Sequence, residues 1–435
     1  MDTLLLSRIQ FAVTIGFHFI FPPVSIGLAW LLVILETIAW RRNDPHYRRL
    51  AQFFAKLLAL TFVLGVATGI VMEFQFGTNW ARYSRFVGDI FGAPLAAEGI
   101  FAFFLESGFL GLYLFGRNRI SRGALWFACL MVAAGATLSA FWILVANSWM
   151  QTPAGFVIQN NRAELTSFTQ AVFNPSMWPR FFHTITSCMV CGAFFMAGCA
   201  AYLLRKNKQT PLAQKALKIS LIVAFITSIL VAFPFGHTHA RQVARTQPEK
   251  LASLEWLETT RSRAPLLLFR AGDLKIALPG LLSLLAYNDI DAVVQGLDEF
   301  PQDELPPLIL TFTSFHIMFL LGVFFIIFTL LGVILMYRKK LWQSQRYLKM
   351  LTLAIPLPMV AIQCGWIAAE VGRQPWIVYR QMRTADAFSD TVPAANVLFS
   401  LIMFSLIYLL LFSLYLFLVI KIVKQGPEPD PETSK

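Results

Sequence analysis

A set of ionisable side chains lies inside apolar stretches of this chain: His18, Glu36, Glu73, Glu98, Glu106, His183, His316 and Glu370. A charge at the centre of a bilayer costs about 2.5–3.5 kcal/mol even on insertion scales, so each of these groups needs a partner or a task. For the histidines two readings compete. Neutral imidazole is a good iron ligand, and apolar walls suit a macrocycle; a single buried histidine is as often just hydrogen-bonded in a core. Several of them together, in a chain with 14% aromatic residues, favour a bound cofactor. Pro22 follows His18 by four residues, so the His18 carbonyl loses its helical donor and a bend is predicted beside the proposed ligand. Glu98 and Glu106 are eight residues apart, about 12 Å of rise and about 80° of rotation on an ideal helix. They share a broad face and suit a stepwise proton path, the plainer alternative being a hydrogen bond from each to a neighbouring helix.

These residues need membrane helices to hold them. The 435-residue chain is 57% hydrophobic and 14% charged, with a mean hydropathy of +0.62, far outside the soluble range. Nine apolar runs are long enough to cross a core of about 30 Å, near residues 12–40, 53–76, 94–115, 124–149, 181–204, 217–235, 308–336, 350–370 and 392–422. If the first helix starts outside, the inner loops carry 17 basic residues in four clusters, from Arg41, Arg117, Arg205 and Arg338 onward, against one acid, Asp44. The outer loops hold 14 basic and 14 acidic residues. That bias sets the N-terminus outside and the C-terminus inside, and a miscounted helix would have reversed it partway along the chain. The fold class is therefore an all-α polytopic membrane protein of nine transmembrane helices. Its net charge of +12 is topological; no basic segment interleaves with exposed aromatics as nucleic-acid binding would need.

The chain divides into helices 1–6 (1–235), an outer loop (236–307), helices 7–9 (308–422) and a tail (423–435). The first run is too long for a signal-peptide core and reads as a retained helix. A loop as long as 236–307 is uncommon unless functional; its apolar spacing predicts short interfacial helices at Leu251–Leu257 and Leu274–Leu285. The tail from Gly426 is rich in Pro and Glu and is predicted to be disordered. Five cysteines, Cys129, Cys188, Cys191, Cys199 and Cys364, fall in apolar runs as packing residues. No histidine follows the C-x-x-C at Cys188, so covalent haem attachment is not indicated. The absence of a visible internal repeat argues against an inverted-repeat transporter.

Several motifs in order carry a family resemblance: Ser7-Arg8-Ile9-Gln10-Phe11 leading to His18-Phe19; Ala97-Glu98-Gly99 with Phe104-Leu105-Glu106-Ser107; Ser139-Ala140-Phe141-Trp142 with Asn147-Ser148-Trp149-Met150-Gln151; and Gly372-Arg373-Gln374-Pro375-Trp376. Together they span helices 1 to 8 and closely resemble subunit I of cytochrome bd quinol oxidase. The resemblance implies three haems. His183 and Met318 would be the two axial ligands of a low-spin haem b; His18 and Glu370 would ligate two high-spin haems, either haem b plus haem d or two b-type haems. His316 lies two residues from Met318, so the two side chains point about 200° apart and only one can face that haem; the family often has arginine at this position.

The same resemblance implies a proton pathway through Glu106, Ser139 and Asn147 toward Glu98, and an aromatic, Trp366, between haems. Arg8 and Arg373 are plausible partners of propionates or carboxylates, since guanidinium offers a bidentate fork. The outer loop resembles the family's short quinol-binding loop, with Lys250 and Glu255 at quinol oxidation. The activity implied is oxidation of quinol by O2 in a bacterial inner membrane, with protons drawn from the cytoplasmic side and no pump. It further implies a subunit II of similar size, with room for small single-helix subunits. A b-type cytochrome that only relays electrons and a transporter built on buried carboxylates are the other classes; quinol-driven oxygen uptake and bound haem separate the three.

Overall fold

A computed structural model describes residues 2–271 and 274–428. Among them are nine helices long and apolar enough to cross a membrane: α1 Thr3–Arg42, α2 Pro45–Thr78, α3 Ala81–Phe115, α4 Arg122–Gln151, α5 Met177–Arg205, α6 Thr210–Thr246, α7 Leu308–Tyr337, α8 Gln345–Val371 and α9 Ala394–Gln425. The number agrees with the hydropathy reading, and the helices run past the apolar cores at both ends. Polar residues continue a helix beyond the hydrocarbon at little cost, which hydropathy cannot register. Thus α6 extends to Thr246, into the segment read as loop, and α3 begins at Ala81, with Pro94 inside it. Of the tail expected to be disordered, residues 429–435 lie outside the described part.

Three helices depart from regular α geometry, two of them where proline removes a donor. The first, α1, is interrupted at Phe19 and Ile20, directly after His18, with Pro22 and Pro23 opening its second half. In α3 a π segment runs Glu98–Phe103, four residues past Pro94, and in α6 another runs Val231–Gly236 around Pro234, with Phe233 non-helical. Such widened turns re-aim side chains and free carbonyls, and they recur at functional sites.

Helix α5 is the axis of the bundle: 83% of its most apolar window is buried, against 22% for α7 and α9. It packs on α1, α4, α6 and α8. Its closest crossing is with α1, at Gly27 and Gly192, where a Cβ on Gly27 would lie 2.7 Å from the Gly192 nitrogen. Small residues at such a crossing let backbones meet, the main source of helix association where lipid is as apolar as leucine. His18 and His183 each stand nine residues before that crossing, about 13 Å along parallel helices. One contact therefore sets both histidines at a similar depth.

The segment between α6 and α7 is structured. It holds a helix at Pro248–Leu254, an antiparallel pair Leu266–Ala271 with Leu274–Leu278, and a helix at Leu281–Tyr287. The predicted helix at Leu274–Leu285 is thus corrected. Its first half is a strand, because Leu274, Ile276 and Leu278 alternate with Lys275 and Ala277 beside a partner strand, and Pro279-Gly280 ends it before the helix begins. Elsewhere a short hairpin joins Phe156–Gln159 to Arg162–Leu165 between α4 and α5.

Gly27→Ala is expected to force α1 and α5 apart and destabilise the protein by about 1–3 kcal/mol, the range for overpacking a tight contact. Thermal unfolding in detergent checks this against Gly322→Ala, whose added Cβ would meet nothing within 4 Å. Equal melting of the two variants would show that the crossing is not close.

Candidate functional site

The two buried histidines are each fixed through one ring nitrogen. His18 Nδ1 lies 3.0 Å from Thr68 Oγ1. That hydroxyl already donates to the Leu64 carbonyl at 2.8 Å, so it accepts from His18 Nδ1–H and the lone pair is left on Nε2. A Cβ on Gly69 would stand 3.2 Å from the ring, so α2 approaches His18 closely there. His183 Nδ1 lies 3.1 Å from the Val231 carbonyl, at the start of the α6 π segment. An N–H bound to a carbonyl again leaves Nε2 as the free ligand nitrogen, the arrangement usual for metal-binding histidine. His239 sits beside it, ring centroids 5.5 Å apart, with its Nε2 buried and unbonded. The sequence reading missed His239 because it falls where α6 leaves the apolar run.

His316 and Met318 separate as their spacing requires. His316 Nδ1 lies 3.0 Å from the Phe312 carbonyl, and its Nε2 meets the Leu267 carbonyl of the outer loop. Both nitrogens face carbonyl oxygens, of which a neutral imidazole can donate to one; His316 thus packs the loop against α7. Met318 turns to α8 instead: a Cβ on Gly365 would stand 2.7 Å from its sulfur. Trp366, the next residue, is half-buried one turn before Glu370.

Glu370 has three side-chain partners. Asn147 Nδ2 donates to its Oε1 at 2.9 Å, Arg373 Nη2 to its Oε2 at 2.5 Å, and Gln151 Nε2 stands at 3.5 Å. Arg180 Nη1 donates to Asn147 Oδ1 at 3.3 Å, which fixes the amide with its NH2 toward the carboxylate. Arg180 and Gln151 were absent from the predicted site; they join it only because α4, α5 and α8 converge. Arg8 does not reach this cluster. It is exposed, with Nη2 3.5 Å from Gln374 Oε1.

One stripe of α4 organises the polar groups at four-residue steps, each advancing about 6 Å and turning about 40°. Gly135 lets α3 approach, its virtual Cβ 3.0 Å from Glu106 Cβ. Ser139 donates to Glu98 Oε1 at 2.7 Å. After apolar Ile143 come Asn147 and Gln151, both on Glu370. Glu98 acts electrostatically on Glu73 and on Glu106, so the predicted pair of carboxylates includes a third member from α2.

Gln151 extends the stripe to the outer loop. Lys250 Nζ donates to Gln151 Oε1 at 3.0 Å and to the Ala369 carbonyl at 2.7 Å, so the Lys250 head sits on the C-terminus of α8. Gln247 Nε2 donates to the Gln151 carbonyl at 3.2 Å. Lys250 is 2% exposed; burial, then the nearby Arg180, pushes its ammonium well below the ordinary lysine range. Glu255 closes the same short helix. Burial pushes its carboxyl up to about 8, partly offset by the Leu267 backbone N–H, from the residue His316 holds.

Would this donor set take haem? Three imidazoles, those of His18, His183 and His239, present an unused Nε2, and three buried donors, Arg180 Nε, Arg373 Nη1 and Trp376 Nε1, have no partner. Buried donors left unpaired cost about 1–3 kcal/mol each, so their clustering around Glu370 calls for an acidic group to complete them. Haem propionates have that chemistry, and the residues fit the cofactor.

A family model described as cytochrome bd terminal oxidase subunit I matches residues 6–427. Cytochrome bd ubiquinol oxidase subunit 1 of Bacillus subtilis is 41% identical over 447 residues, covering 99% of this chain and 95% of that protein. Cytochrome bd-II ubiquinol oxidase subunit 1 of Escherichia coli is 34% identical over 502 residues, covering 98% and 97%. The solved structure of bd oxidase from Geobacillus thermodenitrificans aligns with a TM-score of 0.92 at 34% identity, covering 98% of this chain and 99% of that one.

Lys250 reaches its seat because Gly372 lacks a side chain: a Cβ there would lie 3.0 Å from Lys250 Cε and 3.3 Å from Cγ. Gly372→Leu is expected to expel Lys250, and limited trypsin digestion with mass spectrometry should then find a cut after Lys250 that the parent protein resists. Equal protection in both would contradict the seating.

Proposed function

This chain belongs to the cytochrome bd terminal oxidase subunit I family, and on that premise we propose which of its residues perform quinol oxidation and oxygen reduction. It is an oxidoreductase acting on quinol and oxygen. The observation that carries the residue assignment is the continuous link from Lys250 through Gln151 to Glu370, which joins the outer loop to the buried membrane site.

His183 and Met318 would hold a low-spin haem b, and His18 and Glu370 a high-spin pair. Haem held by these residues would supply the electron-transfer and oxygen-reducing chemistry of the reaction. The chain's own residues prepare the site. Thr68 and the Val231 carbonyl set the tautomers of His18 and His183, so each offers Nε2. Asn147 and Arg373 orient Glu370, and the unpaired donors of Arg180, Arg373 and Trp376 would hold acidic groups of the cofactor. His316 is a loop anchor.

Quinol oxidation is assigned to Lys250 and Glu255. Burial disfavours the Lys250 ammonium; as an amine it would donate its two N–H bonds to Gln151 and Ala369 and offer the lone pair to a quinol proton. Glu255 is the second acceptor. On the oxygen-reducing side, Glu106, then Ser139 with Glu98, then Asn147 line α4 as stations for protons entering from the face that carries the basic loops. That face is the cytoplasmic one and the N-terminus is periplasmic, in a bacterial cytoplasmic membrane. Protons taken up on one side and released on the other separate charge without a pump. The exposed apolar faces of α7 and α9 suit lipid and subunit II, with small single-helix subunits as further neighbours.

A carboxyl raised to about 8 is protonated below that pH and can accept a proton only above it. Quinol-driven oxygen uptake should therefore rise as pH increases through about 8, with a limb that Glu255→Gln abolishes while lowering the rate about 100-fold, the lower end for a positioned base. An unchanged pH profile in Glu255→Gln would overturn this assignment.

A further inference from the structure

The outer-loop helix carries a third buried ionisable group beside Lys250. Glu249 is 4% exposed, and its Oε2 has no hydrogen-bond partner. Arg380, from the segment between α8 and α9, stands with Nη2 3.9 Å from that oxygen, and its side chain is 53% exposed. The buried Tyr379 hydroxyl lies within interaction distance of the carboxylate, and the Arg380 guanidinium covers the Tyr379 ring at 5.2 Å. On its other side Glu249 acts electrostatically on Lys250. Glu304 acts on Tyr379 from the loop end. A buried carboxylate thus neighbours Lys250 in the chain and pairs with a guanidinium that reaches solvent.

A purely structural ion pair would close to hydrogen-bonding distance and satisfy both carboxylate oxygens, because desolvating a charge is repaid only by good geometry. Here the half-exposed guanidinium stops at 3.9 Å, and the carboxylate keeps a buried oxygen, Oε2, without a hydrogen bond. That pattern belongs to a site where protons or water pass.

We infer that Glu249, with Tyr379 and Arg380, forms a second proton exit from the quinol site, carrying to the outer surface the proton that Lys250 accepts. This rests on the placement of quinol oxidation at Lys250 and Glu255. A quinol becoming quinone loses two protons and two electrons. One O–H bond breaks as the Glu255 carboxylate takes its proton; the other breaks as its proton adds to the Lys250 amine. The ammonium returns to amine by giving that proton to Glu249 Oε2, which releases it to water at Arg380. The two electrons leave by the quinol-to-oxygen reaction itself. Two acceptors with separate exits keep the second deprotonation from waiting on the first.

The test compares Glu249→Gln, Glu249→Asp, Glu255→Gln and Lys250→Met in the purified oxidase complex, using quinol and a one-electron donor that releases no proton. Glu249→Gln should lower kcat for quinol about 100-fold with little change in KM, leave oxidation of the proton-free donor and the haem spectrum unchanged, and Glu249→Asp should recover most of the rate. Loss of activity with both donors in Glu249→Gln would mean a structural role and overturn the inference. A parental kcat in Glu249→Gln, with Glu255→Gln and Lys250→Met slow, would overturn it and leave the quinol assignment standing. Parental rates in all three would overturn that assignment as well. Should Glu249→Gln fail to assemble, Tyr379→Phe gives the same comparison: slower quinol turnover with an unaltered proton-free rate supports the exit, and unaltered quinol turnover contradicts it.

Discussion

A carboxylate cannot lie at the end of a membrane helix without something to answer its charge, and the partners of Glu370 determine how the surrounding elements meet. Asn147 reaches it from α4, Arg373 from the turn after α8, and Arg180 of α5 braces Asn147 from behind. Removing one partner of such a buried pair costs about 3–5 kcal/mol, because the remaining charge is left uncompensated. The cluster is also incomplete by itself, with guanidinium and indole N–H groups left over. A core of hydrocarbon would have been simpler to build, so the polar residues are retained for chemistry that needs them.

The same cluster ties the loop to the bundle. Lys250 sits on the α8 C-terminus and on Gln151, Gln247 holds the Gln151 carbonyl, and His316 grips the Leu267 carbonyl beside Glu255. The residues assigned to quinol are therefore positioned by the helix ends that also carry Glu370 and Asn147. This rigid seating is what a site handling both protons and electrons requires, since small displacements of a proton acceptor are costly to rate. Below it, the glycine crossing of α1 and α5 sets the depth of the two histidines, and the proline-linked breaks in α1 and α6 lie next to them.

Much of the architecture was legible in the sequence. Nine apolar runs with alternating loop charge specify nine helices because water and hydrocarbon sort residues over twenty-residue lengths. The motifs around His18, Glu98, Asn147 and Arg373 carried the family. What stayed hidden depends on contacts between distant segments. Gln151 and Lys250 are 99 positions apart, and nothing in either neighbourhood announces the other. Glu249 looks like a surface charge beside Lys250 until the loop folds under the α8–α9 segment. His316 could be read as a rival ligand because its partner, a backbone carbonyl, has no sequence signature. The strand at Leu274–Leu278 was taken for helix because a short apolar run fits both periods.

In the proposed assignment His18, His183 and Glu370 each hold a haem, and a second ligand closes only the His183 site. Haem content by pyridine haemochrome, with carbon monoxide difference spectra, measured on His18→Ala, His183→Ala and Glu370→Ala of the purified complex, tests it most directly. Each variant should lose haem: His183→Ala should remove the component silent to carbon monoxide, and His18→Ala and Glu370→Ala should diminish the reactive one. Full haem content and an unaltered carbon monoxide response in all three would contradict it.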